Sequence, residues 1–496
     1  MTYSSTPAQT AYVRTFIIEG RARADHEPSY QPCWRMGAQD WSLGDVTKIE
    51  CPDPDNYGKF VEVGQIQGAV DRPTTDLQGH LSADEESDML RLSKERCSHD
   101  VHAHMGACSD PRLFNVFTKA IVHLNARITN YSSDEVGTLA SDGSSEVNET
   151  AALSAETIIE LLPLAYAARG GDAVVNPLVD VVICDTASCG DCDEESDGCE
   201  HIYAVDDGAT GSPGTPPDVV YSVNKGATFA AEDVNSLENG EAATGIACLD
   251  VYVVVISNVD GGLHYKEKSL IGDGATNWTR VAMTVGGEPN DIWSVGNYAF
   301  IVGDGGYVHG SSDPTVAPTV LDAGIATDEV LAAVHAISDQ FAVAVGAAGV
   351  VIFTENQTTW TAATAIDAGA ADNLCVWIIN EDEWWVGDNA GQLWYTLDKG
   401  VSWTQKVLPG TLWTEVQDIQ FPSTTNGFIV ADKSVAGVGY ILESYDGGYS
   451  WSVQPQTGAM PTASSLVALA TCIHDLNFVV AVGANATDGV IIVGED

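Results

Sequence analysis

Residues 200–496 repeat, and the spacing of that repeat narrows the fold more than any other feature of the chain. An apolar strand ending in a small residue, then a turn, then a second apolar strand, recurs six times. The copies read YVVVISNVDGGLHY, AFIVGDGGYVHG, FAVAVGAAGVVIFT, EWWVGDNAGQLWYT, GFIVADKSVAGVGYILES and FVVAVGANATDGVIIVG. The aligned small residues are Ser257, Gly303, Gly346, Gly387, Ala431 and Gly483, at intervals of 46, 43, 41, 44 and 52 residues. A period of about 40–50 residues with several short strands per unit is the pattern of propeller blades, whereas solenoid repeats are shorter or helical. Roughly 300 residues at ~43 per blade predict seven blades, with six as the alternative if the leading segment supplies only closing strands. The last unit stops at VIIVGED without an outer strand. Chain from around 175–233 is therefore expected to close the ring.

Two repeats carry a sharper tag at the same point of the unit. Residues 396–403 read TLDKGVSW and residues 444–451 read SYDGGYSW. Both fit S/T-x-D-x-G-x-x-W, the Asp box, with Thr396, Asp398, Gly400 and Trp403 in one copy and Ser444, Asp446, Gly448 and Trp451 in the other. The carboxylate is expected to accept backbone N–H bonds inside the turn, the glycine to allow positive φ, and the indole to cover the next strand. Weaker copies occur at Ser222, Asn224, Gly226 and Phe229, and at Thr354, Asn356 and Trp360. This half resembles the Asp-box propellers of sialidases, sortilin-type receptors and photosystem-assembly factors. That resemblance does not bring catalysis with it, because Asp boxes lie in outer loops. A sialidase needs an arginine cluster for the substrate carboxylate, and residues 200–496 contain one arginine, Arg280. No specific pair of acids stands out for two-carboxylate glycosidase chemistry. The chain is expected not to be an enzyme, with no catalytic residue and no cofactor.

The charge balance excludes other classes. Seventy acids against 21 Lys and Arg give a net charge of −49. Only 18% of residues are charged, below the ~25% of average proteins, so the imbalance reflects missing bases. A nucleic-acid reader needs a basic face, and disorder is at odds with 45% apolar residues and 12 Trp. No apolar run approaches the ~18–20 residues of a membrane span. The start, MTYSSTPAQTAYVRTFIIEG, lacks the pattern of a signal peptide. Residues 1–199 carry 14 bases and 33 acids, and the remainder 7 and 37.

Cys184, Cys189, Cys192 and Cys199 form C-x4-C-x2-C-x6-C between the two halves. One or two disulfides pinning this segment lead the readings, with a structural zinc knot and free thiols as alternatives. Five acids at 191–197 crowd the loop, and the spacing departs from zinc fingers. Cys248, Cys375 and Cys472 sit in apolar strands and read as inert core thiols. His102 and His104 fall two apart on an expected strand and, with no third ligand in view, read as ordinary polar residues.

The first half has a different texture. KFVEVGQIQ alternates as a half-buried strand does, and DVHAHMGAC, KAIVHLNARITNYS and ETAALSAETIIELLPL also read as strands. Ser82 with Glu85 forms a capping box, and acids early with Arg91, Lys94 and Arg96 late predict one helix. The stretches GAQDWSLGDVTKIECPDPDNYGKFVEVGQIQGAVDRPTTDLQGHL and CSHDVHAHMGACSDPRLFNVFTKAIVHLNARITNYSSDE resemble major tail (tail tube) proteins of long-tailed bacteriophages over about residues 10–185. The resemblance implies a β-sandwich or barrel with a flanking helix, self-assembling into rings, commonly hexameric, that stack around a tape-measure protein and end at a tail terminator. DNA would pass through the lumen without being bound, repelled by lining carboxylates.

The expected architecture is thus mainly β: a tail-tube-like domain at 1–183, a Cys/Asp-rich junction at 184–200, and a propeller at 201–496. The tube reading places the protein in the virion tail, assembled in the host cytoplasm, with the propeller projecting outward and available for a host-surface glycan. The alternative is a secreted or surface carbohydrate-binding or carbohydrate-active propeller.

Overall fold

The computed structural model describes ten strands between residues 11 and 161, most of them as backbone alone, and residues 164–495 apart from short segments, the longest being 185–198. The chain divides into two compact units, Met1–Pro163 and Leu164–Asp496.

In the first unit an antiparallel sheet runs in the order Ser29–Gln31, Ala11–Ile18, His99–Ala107, Phe117–Ser133, Val147–Ser154, Thr74–Leu81, Arg35–Asp40. Thr157–Leu161 also pairs with Phe117–Ser133, and Thr47–Pro52 forms a separate hairpin with Phe60–Ile66. The alternating segments of the sequence are therefore strands. On the middle pair, Ala126 and Ile128 are buried together with Ala151 and Leu153, while Arg127 between them is exposed. That is the period-two pattern of a sheet with one covered face. His102 and His104 fall on His99–Ala107. The helix expected at 82–96 lies outside the described residues.

The second unit is a ring of seven four-stranded antiparallel sheets. The strands nearest the axis are Leu178–Cys184, Ala243–Leu249, Pro289–Val295, Leu331–Ala336, Asn373–Ile378, Trp413–Gln420 and Ser464–Thr471, which define blades 1 to 7. Each second strand is buried on both faces, as in Ala342–Gly346, because a blade is sandwiched between two others. The apolar clusters confirm this arrangement. One joins Phe300 and Val308 of blade 3 to Leu331 and Trp360 of blade 4, and another joins Val220 of blade 1 to Phe478 and Ile491 of blade 7. Continuous apolar runs rather than alternation follow from that double burial.

The recurring small residue has a steric cause. Ser257, Gly303, Gly346, Ala431 and Gly483 each pair with the inner-strand residue just before a β-bulge of their own blade. A Cβ at Gly346 would stand 1.9 Å from the Val330 carbonyl oxygen, and one at Gly483 would stand 1.9 Å from that of Ser465. In blade 5 the register partner is Asp388, not Gly387, so the sequence alignment slips by one residue there. Because the obstacle is backbone, Gly346→Val and Gly483→Val are each expected to cost at least the ~1–3 kcal/mol of core overpacking. Urea denaturation checks this, and an unchanged midpoint for both would refute it.

Ring closure differs from expectation. Residues 178–233 form a complete blade 1 (Leu178–Cys184, His201–Asp206, Asp218–Ser222 and Ala230–Asp233). The closing strand is the earlier Ala165–Arg169, which pairs antiparallel with Asp488–Glu495 as the outer strand of blade 7. The propeller therefore begins at Leu164 rather than at 201. Tyr166 of the closing strand donates its hydroxyl to the buried Glu443 of blade 6, which also accepts from Tyr445 and Gln454.

Candidate functional site

An inner propeller strand has one edge paired within its blade and one facing the axis. Backbone N–H groups on the free edge need acceptors. The sequence supplies them from the preceding blade. Each of the seven inner strands carries a β-bulge. In three blades the residue just past it is an aspartate: Asp180, Asp291 and Asp418. Asp180 accepts from its own neighbour Val181 at 2.7 Å and from Ile246 of blade 2 at 2.8 Å. Asp291 accepts from Ile292 at 2.8 Å and from Val334 of blade 4 at 2.7 Å. Asp418 accepts from Ile419 at 2.7 Å and from Leu469 of blade 7 at 2.9 Å.

Two residues further along, His335 and Gln420 repeat the device. The Ile378 N–H donates to His335 Nδ1 at 3.1 Å, and Thr471 donates its N–H to Gln420 Oε1 at 3.0 Å. The signal in the sequence was Asp followed by Val or Ile in PLVDVVI, EPNDIWS and EVQDIQF. It was missed because an isolated Asp in a strand reads as a surface residue.

The inner strands enclose a cavity of about 650 Å³ that all seven blades line. Its wall is uneven. One pleat above the aspartates Val182, Ala247, Trp293, Trp377 and Gln420 line the cavity, while His335 and Ala470 at the corresponding positions are buried. Trp293 and Trp377 meet edge to face at 5.3 Å between ring centroids, and buried His335 lies behind them, 4.5 and 3.9 Å away. Desolvation pushes Asp291 up to about 6 and Asp418 up to about 7, the latter reinforced by repulsion from Asp291. Asp180 is raised by desolvation and then by Asp291. Desolvation also lowers His335 to about 3, so it is a neutral acceptor.

The Asp boxes lie elsewhere, at the hairpins between third and outer strands. In blade 5, Thr396 Oγ1 donates to Asp398 at 2.7 Å and accepts from Gly400 N–H at 3.0 Å, while Ser402 N–H donates to Asp398 at 2.8 Å. Gly400 has φ +73°, and Trp403 donates its indole N–H to Thr364 of blade 4. Gly448 N–H donates to Ser444 Oγ at 2.9 Å, and Trp451 packs on Trp385 and Phe421. Asp446 lies outside the described residues. The weaker copy in blade 1 closes the same way, with Asn224 accepting from Thr228 N–H at 2.9 Å. Asp273 of blade 2 also holds its hairpin, through Ala275, which the S/T-x-D pattern overlooked. These residues are structural turns that tie blade to blade.

Cys184 and Cys199 of the junction do not pair with each other. Cys184 bonds Cys248 of blade 2 and Cys199 bonds Cys472 of blade 7, with Cα separations of 5.7 and 5.9 Å. Cys248 and Cys472 are thus disulfide partners, not inert thiols. Cys375 is a free buried cysteine whose thiol donates to Val416 O. Cys189 and Cys192 lie outside the described residues. Among the described residues no cluster of His, Cys, Asp and Glu is suited to a metal ion. Arg280 is held by buried Glu241 at 2.9 Å.

Seven blades around a polar-stapled channel define a β-propeller. No known family's sequence profile matches the chain, and no curated protein matches it. Solved structures do. A structure described as YCF48 bound to D1 peptide is similar at 13% identity and a TM-score of 0.50, covering 68% of this chain and 96% of that one. YCF48 from Cyanidioschyzon merolae gives 14%, 0.50, 67% and 99%. At such identity the likeness is one of fold, and it spans the propeller's share of the chain.

Proposed function

We propose that the chain is a virion structural protein: a tail tube subunit whose N-terminal unit assembles into stacked rings and whose propeller projects outward as a decoration. What carries this reading is the sequence of residues 10–185, whose order of segments resembles phage tail tube proteins. The antiparallel sheet of residues 11–161 is compatible with it. The propeller supports a non-enzymatic role. Its channel aspartates are each committed to two backbone N–H groups, and Arg280 is tied to Glu241. Neither a guanidinium cluster nor an uncommitted carboxylate pair is found in the described channel.

Partners on this reading are other copies of the chain, most simply in hexameric rings, a tape-measure protein, a tail terminator, and DNA that passes without being held. The outward propeller is available for a host-surface glycan, with many copies giving avidity. Electron microscopy of purified full-length protein and of source particles tests the assembly. Stacked rings or long tubes are expected, and the absence of both would refute the tube reading. A glycan array probed with the full chain tests the surface role separately.

A further inference from the structure

The channel combines features that the inter-blade staples alone do not require. Staples need acceptors, and Asp180, Asp291 and Asp418 provide them. They do not need a pair of tryptophans in the cavity wall. The described tryptophans of the other blades and outer strands are mostly packed into blade interfaces, as Trp360, Trp384, Trp385 and Trp451 are. Trp293 and Trp377 also pack against the clusters between blades, but they are half-buried and line the cavity. His335, wedged against both rings, holds them as two nearly perpendicular aromatic walls across blades 3 to 5.

Val182, Ala247 and Ala468 add small aliphatic side chains to the same lining. A volume of about 650 Å³ falls within the ~300–1,000 Å³ of small-molecule pockets.

The charged groups around this space are mostly acidic. Trp293 follows Asp291 by two residues on one strand, so both project to the same face, with the carboxylate one pleat below the indole. Asp180 and Asp418 occupy the same level on blades 1 and 6, and all three line the cavity. Lys268 is the one Lys or Arg in the lining. Aromatic faces and carboxylates share a preferred guest, since the ring quadrupole and the anionic oxygens both attract positive charge.

We propose that the channel binds a small organic cation with an apolar body, an alkylammonium or quaternary ammonium group, seated on Trp293 and Trp377 with its charge toward Asp180, Asp291 and Asp418. Each carboxylate uses its backbone-bonded lone pairs for the staple and presents its remaining ones to the guest. The small aliphatic side chains accommodate the methyl groups. Such a site would serve the propeller whether or not the chain assembles into tubes.

Isothermal titration of the full-length protein with choline and with its neutral isostere 3,3-dimethyl-1-butanol, at about pH 8, tests this. Choline is expected to bind at least ~10-fold more tightly than the isostere. Trp377→Leu is expected to abolish that preference. Val182→Trp, which fills the cavity from blade 1, provides a second variant should Trp377→Leu fail to fold, and it is expected to block choline. Equal affinity for choline and the isostere would overturn the proposal. So would the absence of binding by choline and tetramethylammonium to folded protein, or undiminished choline binding by a folded variant of either kind.

Discussion

Acidifying the protein from about pH 8 to about pH 5.5 is expected to raise its melting temperature, on the order of 5 °C. Burial pushes Asp418, Glu383 and Glu443 each up to about 7, and Asp291 up to about 6. In the unfolded chain such groups titrate near 4. Between about pH 4 and 7 the native state therefore holds protons that the unfolded state has released, and stability falls as pH rises through the native values. Two histidines oppose the trend most strongly. Desolvation lowers His335 to about 3 and His264 to about 4. Their stabilising contribution is present above the unfolded value of about 6.5 and is lost as pH falls below it. Four carboxylates outweigh two imidazoles over this window, and relief of self-repulsion at a net charge of −49 acts in the same direction. Glu443→Gln should flatten the dependence. A melting temperature that stays level or falls on acidification would refute this account.

Reduction is expected to have the second large effect. Cys184–Cys248 ties blade 1 to blade 2, and Cys199–Cys472 ties blade 1 to blade 7. They close loops with sequence separations of 64 and 273 residues. Removal of a native disulfide costs about 2–5 kcal/mol, with longer loops toward the upper end in the chain-entropy view. Cys472→Ala, or a reductant, should lower the urea midpoint accordingly, and Cys248→Ala should lower it less. Peptide mapping without reductant should recover both cross-links. Four alkylatable thiols at these positions in air-exposed folded protein would sink the assignment.

The ring was legible in the sequence where its signal was local. The 41–52-residue spacing gave the blades, and the Asp-box turns lie at the hairpins that Thr396 and Ser444 marked. What was hidden depends on contacts between blades. Nothing in AYAAR marks residues 165–169 as an outer strand, because an edge strand needs only an open partner, and that partner is at the far end of the chain. Cysteine pairing was hidden for the same reason, since only the closed ring brings Cys199 beside Cys472. The channel aspartates were illegible because their acceptor role lies across a blade boundary. Trp293 and Trp377 carried no local sign separating them from tryptophans such as Trp384, which packs between blades.

Closure by Ala165–Arg169 also sets a timetable. On the ribosome this strand emerges long before Glu495, with which Ala165 pairs. At about 5–20 residues per second, roughly 15–70 s separate the two. Throughout that interval six blades can accumulate while the seventh lacks three of its strands. The edge of the growing sheet array stays open, and the first unit has time to become native ahead of it. That open edge is the moment of greatest exposure to another strand, and the emergence of Asp488–Glu495 is what ends it.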